Sequence, residues 1–212
     1  MTNVAAKFFK KEKFMDFSVF LGLDKAVFQW VERIFDLGIS SVITPIMKFV
    51  TTLGDDGIIW IALAVVLMIF KKTRKVGFVM GGALICMLLC NNIVLKNLFA
   101  RPRPFNLPEW QDWFVFPEIV HRPSSFSFPS GHTSSAFAAA TALAYSKKWG
   151  AIIPVYLFAA LMGFTRIYVH VHYFTDVLFG ALLGIVYGII AIVICRFVIK
   201  LINDKTKLNI FR

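Results

Sequence analysis

The sequence predicts an all-α integral membrane protein, a helical bundle of five to six transmembrane helices with an interfacial N-terminal segment. Three observations predict it. Hydrophobic residues make up 58% of the 212 and mean hydropathy is +0.72. Apolar runs recur that are too long for soluble core strands. The basic residues fall in short clusters beside those runs, the pattern of membrane-facing loops, so the net charge of +11 does not point to nucleic acid. With no linker, repeat or low-complexity tract, residues 1–212 read as a single membrane-embedded domain.

At the N-terminus, Lys7, Lys10, Lys11 and Lys13 precede a stretch broken by Asp16, Asp24 and Lys25, unlike a cleaved signal peptide. Residues 1–55 are therefore read as a retained amphipathic segment at the interface. Within it, 39–50 is apolar but interrupted by Pro45 and Lys48, and is read as interfacial or partly inserted. Spans are expected at 57–70, 76–98, 132–145, 149–165 and 173–199, against the roughly 20 residues that cross a bilayer. The first is short and the third is rich in Ala, Ser and Thr, so both lean on their neighbours. Cys86, Cys90 and Cys195 lie in apolar runs without flanking His or acid and read as small hydrophobes.

Orientation follows from the basic loops. Lys71, Lys72, Arg74 and Lys75 separate the first two spans, Lys147 and Lys148 the third and fourth, and Lys200, Lys205, Lys207 and Arg212 close the chain. Alternation places all three clusters on one side, cytoplasmic by the positive-inside rule. Lys96, His132 and the segment from Arg166 to His172 then share the opposite, extracytoplasmic end. Arg101, Arg103, Arg122 and Arg166 run against the charge rule there, unless cations at that end bind a substrate.

Residues 96–176 hold the chemistry. Asp176 follows His172 by one helical turn, so its carboxylate can bind one imidazole nitrogen and leave the other free, the arrangement of an oriented nucleophile or base. The same spacing continues through Gly180, Gly184 and Gly188, and His132, Ala136, Ala140 and Ala144 form a matching stripe. The two stripes predict helices packed together, with both histidines at one pocket. Such stripes serve packing within and between chains alike, so they set no oligomeric state. Pro129 and Gly131 mark a turn, Ser130 is placed as an N-cap, and His132 stands in a first helical turn, where free N–H groups favour an anion. There His132 could protonate a departing oxygen. Lys96, Arg103 and Arg166 supply positive charge suited to a phosphoryl group. His170 and His172 raise the alternative of a metal site, but such sites need several acids and only Asp176 is near in sequence. The reading assigns no metal and no cofactor; His170 packs or lines the pocket entrance and His121 is a loop residue.

Lys96-x6-Arg103-Pro104, Pro129-Ser130-Gly131-His132 and Thr165-Arg166-x5-His172-x3-Asp176 together resemble the three signature motifs of the type-2 phosphatidic acid phosphatase superfamily. Thr165 stands where that family commonly has serine and keeps the hydroxyl. The first 55 residues carry no signature, and the family's usual first membrane helix is weak here. The resemblance implies a metal-independent reaction in which His172 attacks phosphorus, Asp176 orients it, and His132 protonates the leaving group and then activates water. Lys96, Arg103, Ser130, Gly131 and Arg166 would hold the phosphate oxygens.

It also implies a lipid phosphate substrate, such as undecaprenyl diphosphate, phosphatidylglycerophosphate or phosphatidate. The loop with Trp110, Trp113, Phe114, Phe116 and Phe126 would rest on membrane lipids beside the pocket. Other readings stay open: a lipid phosphotransferase of the same superfamily, or a non-catalytic lipid transporter. The related vanadium-dependent haloperoxidases are larger and soluble.

Overall fold

The computed structural model describes residues 16–115 and 118–206; Lys7, Lys10, Lys11, Lys13, Phe116, Lys207 and Arg212 lie outside them. All regular structure among the described residues is helical. A 3-10 turn, Phe17–Phe20, is capped by Asp16, whose Oδ1 accepts the Ser18 N–H at 2.9 Å. It leads into α1, Leu21–Asp36, which is amphipathic: Asp24, Phe28 and Val31 share one buried face. Helices α2 (Ser40–Leu53) and α3 (Ile58–Ile69) meet at a break bent by 45°. Asp56 and Gly57 form that break with left-handed φ values of 51° and 70°.

Helix α4 begins at Arg74–Met87 and runs on through a π-helical stretch, Leu88–Leu95, into Lys96–Phe99. Such π-turns mark sites where a helix must re-aim side chains. Here the stretch buries Asn91, whose Oδ1 accepts the Ser134 hydroxyl at 3.0 Å. After a single turn, Pro108–Gln111, and an irregular loop come α5 (Gly131–Leu143), α6 (Trp149–Tyr168) and α7 (Phe174–Thr206).

Among the described residues, three helical stretches are long and apolar enough to cross a membrane: Arg74–Gln111, Gly150–Tyr168 and Phe174–Ile202. The bent pair α2–α3 makes a fourth if it is one broken span. The sequence expected five to six, and α5 accounts for part of the difference. With 13 residues and nine of them buried, it is sheathed by α4, α6 and α7. A helix facing protein on every side needs neither the length nor the apolarity of a lipid-facing one. The outer surface carries Ile58, Val65, Ile69, Leu182, Ile189 and Val193, all exposed. This area is far beyond what a soluble protein shows to water; the chain is a membrane protein.

The contact between α5 and α7 is set by glycines of α7. A Cβ on Gly184 would come within 2.5 Å of the Ser134 carbonyl oxygen, and one on Gly188 within 2.4 Å of Thr141 Cβ. The glycine stripe and its partner helix are as the spacing predicted, but the facing residues are not. Ser130, Ser134, Phe137, Ala138 and Thr141 meet the glycines, whereas the stripe from His132 through Ala136 lies on another face. The reason is that His132 turns toward the α2–α3 break, which rotates its whole i, i+4 row off α7. Gly188→Val should destabilise the fold by about 1–3 kcal/mol, read as a lowered unfolding midpoint in detergent. Gly22→Ala, where a Cβ meets nothing within 4 Å among the described residues, should leave the midpoint unchanged.

The aromatic loop also differs from expectation. Trp110 and Phe114 are buried, with ring centroids 5.1 Å and 5.3 Å from Phe28 of α1. Among the described residues of the loop, Trp113 and Phe126 stay open to the surroundings. The amphipathic N-terminal helix supplies an apolar face on the protein itself, and the loop packs there.

Candidate active site

Between α6 and α7 the chain turns sharply through residues 169–173, with His170 at φ 59°. This turn drops His172 beneath the first turn of α7, where Asp176 is fully buried. The Asp176 carboxylate is saturated with donors. Oδ2 accepts the Tyr173 N–H at 3.0 Å, the Ser127 hydroxyl, and His172 Nδ1 at 3.3 Å. Oδ1 accepts Arg101 Nη1 at 2.6 Å. With Nδ1–H held by a carboxylate, the Nε2 lone pair of His172 points away, toward Arg103 Nη1 at 3.2 Å. Burial, and then the positive charges of Arg103, Arg166 and Lys96, hold the His172 imidazole well below its ordinary pKa. Both effects favour the neutral imidazole.

Three cations surround that nitrogen. Arg103 is fixed through Nε to the Ser125 carbonyl and through Nη1 to the Val171 carbonyl, both at 2.7 Å. Lys96 Nζ donates to the Ser125 hydroxyl at 3.4 Å. Arg166 donates Nη1 to the Thr51 hydroxyl, while its buried Nε has no hydrogen-bond partner among the described residues. A buried guanidinium N–H without an acceptor is costly, and an anionic oxygen in the cavity would satisfy it.

The cavity itself is about 1340 Å³. Lys96, Arg103, Gly131, His132, Arg166 and His172 line its polar end, and Ile61, Val65, Met68, Leu84, Ile85 and Leu88 line an apolar groove between α3 and α4. Among the residues singled out from sequence, Asp176 stands behind His172 rather than in the cavity. Ser130 occupies the N-cap position of α5 without capping it by its side chain. Its hydroxyl instead accepts from the Thr133 hydroxyl at 2.9 Å, and its backbone N–H donates to the Asp176 carbonyl at 3.1 Å. His170 packs away from the cavity against Phe28 and Phe35, with Nε2 at 3.0 Å from Glu32.

Four supporting residues were not foreseen. Arg101 is not a cavity cation: its Nη2 pairs with Asp24 at 2.7 Å and its Nη1 with Asp176, and the guanidinium lies 3.8 Å above the Tyr173 ring. Asp24, fully buried in α1, also accepts the Thr175 N–H and hydroxyl, each at 2.9 Å. Asp55, at the α2–α3 break, stands 3.0 Å from His132 Nε2. Thr51 holds Arg166. All but Arg101 come from the segment expected to lie at the interface.

A carboxylate-held histidine and three cations thus share the polar end of one cavity inside a membrane bundle. The chain belongs to the PAP2 superfamily, which it matches over residues 72–200. It is 33% identical over 147 residues to an undecaprenyl-diphosphatase of Sulfolobus acidocaldarius, covering 68% of this chain and 66% of that one, just under two thirds of its length. Among solved structures, it resembles a PAP2-type phosphatidylglycerolphosphate phosphatase from Bacillus subtilis with a TM-score of 0.62 and 26% identity, over 85% of this chain and 88% of that one. It also resembles LpxE of Aquifex aeolicus with a TM-score of 0.56 and 32% identity, over 71% and 85% of the two chains.

Proposed function

We propose that this protein is a lipid phosphatase that removes the terminal phosphate of a lipid phosphate or diphosphate through a phosphohistidine on His172, without a metal. The observation that carries the reading is the Nε2 of a neutral, Asp176-held His172, in contact with Arg103 Nη1 at 3.2 Å, at the polar end of a cavity that continues as an apolar groove. The groove between α3 and α4 would seat the lipid tail. Arg103, Arg166, Lys96 and the start of α5 at Gly131 would hold the phosphate oxygens, and the buried Ser130 would set that start in place through Asp176.

In the first step the His172 Nε2 lone pair forms a bond to phosphorus. The bond from phosphorus to the lipid oxygen breaks, and His132 gives that oxygen a proton. In the second step His132 takes a proton from water, whose oxygen displaces His172 and releases phosphate. The charge that a metal would contribute at the transferring group is supplied here by three protein cations. Lys72, Lys75 and Lys148 line one small cavity at the opposite end of the bundle, which supports a common side for two of the basic clusters. By the positive-inside rule that side is cytoplasmic and the site faces outward.

Purified protein in detergent with excess EDTA should release phosphate from at least one of undecaprenyl diphosphate, phosphatidylglycerophosphate and phosphatidate, and the rates would rank the substrates. Loss of release in EDTA alone would contradict the metal-independent reaction. Absence of release with or without EDTA would turn the reading toward a phosphotransferase or transporter.

A further inference from the structure

Asp55 has no role in the reaction above and lies outside the residues that match the family, 72–200. Its Oδ1 is 3.0 Å from His132 Nε2. The contact is built into the backbone. A Cβ on Gly54 would fall 2.7 Å from His132 Cδ2 and 2.4 Å from Met162 Sδ, so the chain can press against the ring only without a side chain there. Gly57, at φ 70°, then lets the turn close into α3.

We propose that Asp55 is a positioning residue for His132: by accepting the Nε2–H it leaves Nδ1 as the nitrogen that exchanges the proton with the lipid oxygen and with water. The inference rests on the two-step histidine reaction proposed above. In the first step the proton on Nδ1 goes to the oxygen leaving phosphorus as the bond from His172 Nε2 to phosphorus forms. In the second, Nδ1 takes a proton from the water that breaks that bond, and the electron pair returns to His172. His132 must therefore be an imidazolium before one step and neutral before the other. Arg166 and Lys96 act on it with charge opposed to the imidazolium, and His172 faces the same cavity. Asp55 is the carboxylate in contact with the ring, offsets those cations, and selects the tautomer.

The test compares Asp55→Asn and Asp55→Glu with wild type, as full-length protein in detergent, on two soluble phosphates. The leaving group of hexyl phosphate is an alkoxide that needs a proton, whereas that of p-nitrophenyl phosphate is a stable phenolate that does not. For Asp55→Asn, kcat on hexyl phosphate should fall roughly 10- to 100-fold, with the basic limb of its pH profile moved to lower pH and little change in KM. On p-nitrophenyl phosphate it should give a burst of one nitrophenolate per enzyme followed by slow turnover, because only the water step still needs His132. Asp55→Glu should restore much of both.

Wild-type kinetics in Asp55→Asn, an equal loss on both substrates without a burst, or a rise confined to KM would overturn the inference; the last would mean that Asp55 merely balances Arg166. Asp55 is 56% exposed, so the near-isosteric Asn should keep the unfolding midpoint, which is checked alongside. His172→Ala is assayed in parallel. Turnover in that variant would overturn the histidine reaction itself, independently of Asp55.

Discussion

His172→Ala is expected to lower phosphate release by roughly 10⁴-fold or more, the scale on which removal of a catalytic nucleophile acts. The fold should survive. Asp176 loses one donor but keeps the Tyr173 N–H, the Ser127 hydroxyl and Arg101, so no buried charge is stranded. The cavity cations also remain, and lipid phosphate should still bind. The expected signature is thus a collapse of kcat with an unfolding midpoint close to wild type. Near-normal kcat would contradict the assignment of His172, and a collapse accompanied by unfolding would contradict the claim that Asp176 is independently held.

Arg101→Ala should produce the largest loss of stability. One guanidinium, 6% exposed, pairs with two carboxylates that are fully buried, Asp24 on α1 and Asp176 on α7. Removing one partner of a buried pair typically costs about 3–5 kcal/mol, because the other charge is left desolvated and unpaired. Here two charges are left. Arg101→Lys should recover only part of the loss, since a single ammonium cannot span both carboxylates with the geometry of a fork. Activity should fall with stability, because Asp176 then loses its fixed position beneath His172. An Arg101→Ala protein with wild-type midpoint and turnover would show that the Asp24–Arg101–Asp176 chain carries no structural load.

What could be read in the sequence, and what could not, divides along the range of the interactions. The His172–Asp176 contact was legible from i, i+4 spacing, although only Asp176 is on α7 and His172 closes the contact from the turn before it. The glycines of α7 were legible for the same reason. Lys96, Arg103 and Arg166 were legible jointly, since each falls at the same end of an apolar run. The pairs Asp24–Arg101 and Asp55–His132 each close a separation of 77 residues, so neither partner could be read from the other's neighbourhood. Asp24 reads as a charge that interrupts an apolar stretch, although its burial with Phe28 and Val31 is itself an i, i+4, i+7 pattern. The α5 face was misjudged because a stripe of alanines in a helix buried all round has no privileged direction. Its rotation is decided by His132 and Gly54, a contact between distant segments. Ser130 was placed as an N-cap on residue type, but Thr133 and Asp176 engage its hydroxyl and its amide.

The most direct test of the central claim is to intercept the covalent intermediate. Wild-type protein mixed with radiolabelled p-nitrophenyl phosphate, quenched in alkali within a turnover and digested, should yield an alkali-stable, acid-labile label on the peptide that carries His172, and His172→Ala should yield none. Phosphate release without any labelled protein, or a label on a different residue, would contradict the account.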